Sequence, residues 1–202
     1  MTRIDRLHES PSQTAGPYVH IGCVPNFCGI KGIYSEDLGA RMVNDQTDGQ
    51  RITITGTIFD GTGTPLKDAL VEVWQADAAG LYNSPSETRG TADRNFAGWG
   101  RAAGDYATGE WRFDTVMPGA VPFPDGRMQS PHITFWIAAR GVNLGLQTRM
   151  YFPDQDNSAD PVLSRIEHQS RIPTLIAEQV DASTYRFNIR LQGDRETIFF
   201  DL

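Results

Sequence analysis

The chain has 202 residues and a formal net charge of −7 at pH 7. This acidic balance argues against a nucleic-acid or anionic-membrane partner, because no basic field is present to attract phosphates. Twenty glycines and 12 prolines favour many short strands joined by turns over long helices. No apolar run approaches the roughly 20 residues that span a bilayer, and the charged first nine residues lack the apolar core of a signal peptide. The sequence therefore predicts a cytoplasmic protein.

The first quarter of the chain has no regular pattern. Residues 9–29 lack periodicity and are predicted to form an extended arm or loop, and residues 30–50 hold at most one helical turn. From Arg51 onward isoleucines alternate with threonines, which is typical of a strand with one apolar face.

Further strands are predicted at residues 70–74, 111–116, 132–140, 146–152 and 185–192. The 132–140 segment is mostly apolar, as in a strand covered on both faces, and the 185–192 segment alternates without a break. Asp160 followed by Pro161 predicts the start of a short helix, with a further turn at 174–178. At least six strands and one or two short helices indicate an all-β fold, a β-sandwich.

We expect one domain over residues 1–202. Residues 1–50 would form its N-terminal arm and loops, and residues 51–202 its β-sandwich core. Nothing in the chain marks a linker, a repeat or a low-complexity segment.

One stretch is more specific than composition. It reads Ile54-x-Gly56-x-Ile58, then Gly63, Leu66, Val71-Glu72-Val73 and Gly80-x-Tyr82, about ten constrained positions that hold their spacing together. This stretch resembles the signature of the intradiol ring-cleavage dioxygenases. Similar segments occur at 12–18, 117–119, 130–134, 149–152 and 185–187, so the resemblance covers nearly the whole chain.

The resemblance implies an enzyme family that opens catechol rings with O2 at a mononuclear ferric ion. The similarity is greatest to the alpha chain of the two-chain members. Those members cleave 3,4-dihydroxybenzoate to 3-carboxy-cis,cis-muconate in the β-ketoadipate route of aromatic catabolism.

The family holds its iron with two tyrosines and two histidines, the histidines in a His-x-His pair. Residues i and i+2 of a strand face the same side, so such a pair aims both imidazoles at one metal. Here the pair reads His132-Ile133-Thr134, one tyrosine position falls on Val121, and the loop at 83–91 contains no tyrosine. Because only His132 remains, we expect no metal site in this chain.

In the two-chain members a beta chain carries all four ligands. The resemblance therefore implies that Fe(III) is bound by a beta chain in an (αβ)n heteromer, and that this chain completes the active site without being active alone. The predicted substrate-pocket residues are Thr14, Gly16, Pro17 and Tyr18 of the N-terminal arm, together with Arg140. Gly16 and Pro17 suit a close backbone approach, and an arginine can orient a carboxylated substrate.

Several alternatives stay open at this point. Tyr18 equally fits an interface packing residue, and Arg140 a surface ion pair. Arg149 is the less favoured candidate for the arginine that orients the substrate. His132 with Tyr82 and Tyr106 could form an improvised ferric site. At the level of the whole chain, the alternatives are a homomeric catechol dioxygenase, which the missing ligands oppose, and a non-catalytic β-sandwich module that binds small molecules, which needs neither the signature nor the arm.

Overall fold

The computed structural model describes residues 13–143 and 145–201. Residues 9–12 of the predicted arm, including Ser12, lie outside this part of the chain. The described residues form one α-helix, two 3₁₀-helices and eleven strands: α1 Pro17–Cys23, β1 Arg51–Phe59, β2 Leu70–Trp74, β3 Trp99–Ala103, β4 Glu110–Val116, β5 Val121–Pro122, β6 Met128–Gln129, β7 His132–Ala138, β8 Leu146–Tyr151, the 3₁₀-helices Leu163–Arg165 and Gln169–Leu175, β9 Glu178–Gln179, β10 Thr184–Arg186 and β11 Ile189–Arg190. Within these residues no helix has the length and apolar character needed to cross a membrane.

The strands form two main sheets, which confirms the predicted all-β sandwich. In the first sheet β1 pairs antiparallel with β4 along one edge and parallel with β10 and then β11 along the other. The second sheet has the antiparallel order β3-β2-β7-β8, and β5 with β6 forms a small separate hairpin.

The core lies between the inner faces of the two sheets. Alternating residues of β1, β4, β2, β7 and β8 point inward, and none of those in the core cluster is more than 4% exposed. Aromatic rings join the two sheets: the Phe135 centroid lies 5.3 Å from those of both Trp111 and Phe187. This packing is compact enough to fix the register of each strand, since a slip by one residue would turn every core side chain outward.

The signature glycine Gly56 has a packing role. A Cβ at this position would lie 2.0 Å from the carbonyl oxygen of Phe187 and 2.5 Å from the Trp111 ring. Only a residue without a side chain therefore lets β1 accept neighbours on both edges at this point.

Two local predictions are wrong. The arm contains the helix α1, whose N-cap is Gly16 and whose only buried residue is His20. The predicted strand at 185–192 is split, because the Asn188 side chain and not its backbone accepts the N–H of Thr57.

The short helix predicted from Asp160 is present as the 3₁₀-helix Leu163–Arg165, and Asp160 Oδ1 accepts the N–H groups of Val162 and Leu163 at its start. The further turn predicted at 174–178 lies earlier in the chain, in the 3₁₀-helix Gln169–Leu175, and Glu178–Gln179 is a strand.

The strand predicted at 132–140 ends at Ala138, and its outer face is only partly covered, with Trp136 36% exposed. The same outer face carries His132, which is buried, and Thr134, which is partly exposed.

Candidate functional site

The first family ligand position, His132, is buried at the start of β7. Its Nδ1 lies 2.8 Å from the carbonyl oxygen of Ser130. Because a carbonyl only accepts, Nδ1 carries the proton and Nε2 keeps its lone pair in the neutral ring. Burial, together with the positive charge of Arg149, lowers the pKa of His132 to about 4. The imidazole is therefore neutral at pH 7.

The second position, Thr134, lies two residues along β7 on the same outer face. It pairs with Trp74 of β2 on one side and with Arg149 of β8 on the other. The Arg149 guanidinium donates to Gln129 Oε1 at 2.8 Å and lies over the Phe200 ring at 5.9 Å. A neutral hydroxyl and a neighbouring cation thus occupy the region where the family pattern has a second imidazole.

The two tyrosine positions of the family pattern hold other chemistry. Val121 is buried in β5 and lines a cavity of about 380 Å³ together with Tyr82 and the loop at 83–91. In that loop Arg89 pairs with Glu87, and this contact holds the pKa of the Glu87 carboxyl at about 2. The cavity contains an ion pair and an apolar side chain in place of two phenolates.

Tyr82 and Tyr106 belong to other contacts. Tyr82 stacks on Trp74 with ring centroids 5.9 Å apart, and burial raises the pKa of its hydroxyl against the opposing charge of Arg149. Tyr106 packs on Phe27 at 4.7 Å, and its hydroxyl lies 3.7 Å from the Cys28 sulfur. Neither ring contributes a ready phenolate next to His132.

This donor set does not fit ferric iron. One neutral imidazole remains, and the fixed charge of Arg149 repels a metal cation at the same face. Over residues 13–143 and 145–201, no three or more His, Cys, Asp or Glu side chains are grouped to hold a metal ion.

The predicted substrate-pocket residues lie together on the surface. Thr14 Oγ1 accepts the N–H of Gly141 at 2.7 Å, which anchors the arm beside Arg140. Gly16 and Pro17 begin α1, and Tyr18 is 85% exposed. The Arg140 side chain is also exposed, with its Nε 3.1 Å from Asp68 Oδ2.

The sequence offered Arg149 only as the less favoured alternative to Arg140 for orienting a carboxylate, and its position beside Thr134 was not predicted. Its contact with Gln129 and its position beside Thr134 both depend on strand register, which joins residues far apart in the chain. The available signal was the single charged residue of the predicted 146–152 strand.

A family profile described as Dioxygenase matches residues 24–193. The chain is 42% identical to the protocatechuate 3,4-dioxygenase alpha chain of Pseudomonas putida, over 98% of both chains. The chain belongs to the intradiol dioxygenase family. The resemblance seen in the signature is thereby confirmed.

Two further similarities concern the sequence and the fold. It is 36% identical to the protocatechuate 3,4-dioxygenase beta chain of Burkholderia cepacia, over 80% of this chain and 73% of that one. The fold matches an intradiol ring-cleavage dioxygenase from Tetranychus urticae with a TM-score of 0.55 at 19% identity, over 79% of this chain and 88% of that one.

Proposed function

We propose that this chain is the alpha subunit of a protocatechuate 3,4-dioxygenase. The enzyme would cleave 3,4-dihydroxybenzoate between its two hydroxylated carbons, and both atoms of O2 would enter the product, 3-carboxy-cis,cis-muconate. The observation that carries the proposal is the full-length identity to an alpha chain, joined to a site that has lost three of the four ligand positions.

The ferric ion would be held by a protocatechuate 3,4-dioxygenase beta chain in an (αβ)n heteromer. The unsuitable donor set around His132 supports this division of labour. The similarity to a beta chain over 80% of this chain also supports it, since two chains of one fold can pack as a near-symmetric pair. A cytoplasmic location stays a prediction from the sequence.

This chain would contribute a wall of the substrate pocket through Thr14, Gly16, Pro17, Tyr18 and Arg140. The exposure of Tyr18 and Arg140, and the hydrogen bond that brings the arm to Gly141, support this role. Arg140 would attract and orient the substrate carboxylate. Its contact with Asp68 does not oppose this, because an exposed ion pair contributes little and exchanges readily.

The test is to produce this chain alone and together with a beta chain, and to measure iron content, the visible tyrosinate-to-iron absorption and protocatechuate-dependent O2 uptake. We expect iron, colour and turnover only in the co-expressed sample. Stoichiometric iron and turnover from this chain alone would overturn the subunit assignment and support a homomeric enzyme.

The binding-module alternative predicts a different result from the same samples. A stand-alone module would not co-purify with the beta chain, and its presence would not change the turnover of that chain. Family membership and the full-length similarity favour the subunit.

A further inference from the structure

A second cavity adjoins the outer end of β8. It has a volume of about 480 Å³, and its apolar walls come from three parts of the chain: Phe123, Val162, Ile166, Ile198 and Phe200. Small-molecule sites are typically concave, mostly apolar and within the range of roughly 300–1,000 Å³. The cavity has the size and the lining of such a site.

Arg149 is the cation of this cavity that lacks a counter-charge. It is half-buried and donates to the neutral Gln129, and it has no carboxylate within 4.0 Å in the described part of the chain. A partly desolvated guanidinium without an anion is costly, so it favours any ligand that supplies one.

The other charged groups at the cavity are already paired or exposed. Arg165 lies over Phe123 at 4.6 Å and 3.6 Å from Asp125, and Arg171 lies 3.3 Å from Glu196. Glu167 and His168 also line the cavity, and both are exposed.

Asp160 is a buried carboxylate whose hydrogen bonds go to groups other than Arg149. It accepts the backbone N–H groups of Ser130, Val162 and Leu163, and it also accepts the Tyr151 hydroxyl. Among the described residues it forms no ion pair with Arg149 within 4.0 Å, so the guanidinium has no carboxylate in direct contact.

We propose that this cavity binds a small carboxylate with an apolar body. The carboxylate accepts hydrogen bonds from the Arg149 guanidinium, and the body packs against Phe200 and Ile166. A phosphate ester does not suit the apolar walls, because its strongly hydrated dianion would lose water without gaining partners. The site uses only residues of this chain, so it goes beyond the proposed ring cleavage and does not depend on it.

Two kinds of molecule share this chemistry, aromatic acids and medium-chain fatty acids. Isothermal titration of the full-length chain with benzoate and with octanoate distinguishes them. We expect one saturable site per chain for at least one acid, and at least tenfold weaker binding of the uncharged analogue benzamide or octanamide. Equal binding of acid and amide, or no saturable binding at millimolar acid, would overturn the proposal.

Two variants locate the site. Arg149→Met is expected to weaken acid binding at least tenfold, whereas Arg112→Gln, which removes an exposed arginine paired with Asp114, should change it less than twofold. Unchanged affinity in Arg149→Met would place the ligand elsewhere and overturn the assignment.

Ile166→Trp provides the second route if Arg149→Met does not fold, because it fills the cavity and leaves the guanidinium in place. It should abolish acid binding, and retained binding would contradict the proposal. The same titrations are then made on the complex with the beta chain. The complex that carries Arg149→Met should bind one equivalent of acid fewer per αβ unit than the wild-type complex. Missing iron or turnover in that complex would count against the subunit proposal alone.

Discussion

His132 shows how one retained ligand residue changes its role when its partners are replaced. The Ser130 carbonyl fixes the proton on Nδ1, and burial with the Arg149 charge keeps the ring neutral. A neutral buried imidazole packed 5.8 Å from the Tyr151 ring is a structural residue. Protonation of His132 should therefore change the free energy of unfolding and not the catalytic activity.

We predict that acidification from pH 6.5 to about 4 lowers the free energy of unfolding through His132. In this window the unfolded histidine binds a proton and the folded one does not, so stability rises with pH and is lost as pH falls. A difference of about 2.5 pKa units corresponds to about 3 kcal/mol. Urea unfolding of His132→Gln should show a flatter pH profile, with the exposed His168→Gln as the matched control. Parallel profiles for wild type and His132→Gln would refute the assignment.

Gly56 gives a second prediction at the residue scale. A methyl group there would meet the Phe187 carbonyl and the Trp111 ring, so Gly56→Ala should cost about 3 kcal/mol or prevent folding. Gly22→Ala is the matched control, because a Cβ at Gly22 would have no neighbouring atom within 4 Å and alanine favours helix α1 by up to about 1 kcal/mol. Thermal unfolding of both variants checks this, and equal melting temperatures would contradict the packing argument.

At the scale of elements, the alternating segments show what a sequence predicts well. The period-2 pattern that begins at Arg51 and the segments at 70–74 and 146–152 predict strands, and the structure has a strand at each place, the latter two within one residue of the predicted bounds. The same pattern over 185–192 hides a break, since burial alternates through Tyr185, Phe187 and Ile189 while Asn188 takes a ladder bond with its side chain. Periodicity reports which face is buried and does not report backbone pairing.

Two features of the site could not be predicted in this way. Helix α1 is only seven residues long and has no side-chain cap, so it leaves no helical signature. The contact of Arg149 with Gln129 joins β8 to β6 through register alone. The missing ligands at Val121 and Thr134, in contrast, were visible in the sequence because the family pattern assigns them by position.

Asp160 links the 154–162 loop to Ser130, which precedes β7, and to Tyr151 of β8. It accepts three backbone N–H groups and one hydroxyl in a buried setting, so Asp160→Ala leaves several donors without partners. We expect a loss of about 3 kcal/mol in the free energy of unfolding. Asp181→Asn, at an exposed turn, should cost less than about 0.5 kcal/mol. Chemical denaturation measures both, and a loss in Asp160→Ala as small as the control's would argue against this role.

At the scale of the whole molecule, the chain has the β-sandwich of its family but carries different side chains at the ligand positions on one outer face. The core residues of both sheets remain apolar, while the outer face of β7 and β8 carries a threonine and an arginine at paired positions. Tyr18 of the arm and the Arg140 side chain are exposed on the surface, and Thr14 holds the arm at Gly141. The same fold thus supports a division in which one chain binds metal and the other shapes the surroundings.

Arg140 provides the test of that division in the assembled enzyme. If its charge orients the substrate carboxylate, Arg140→Gln should raise KM for protocatechuate about tenfold, a loss of about 1.4 kcal/mol, with kcat changed less than twofold. Steady-state O2 uptake by the αβ complex at low ionic strength measures both constants, and higher salt should narrow the difference because it screens the charge. Arg112→Gln, which removes another exposed and paired arginine, should leave KM unchanged. Two results together would show that Arg140 serves only its ion pair with Asp68. The first is an unchanged KM in Arg140→Gln. The second is a change in stability of the same size in Arg140→Gln and Asp68→Asn.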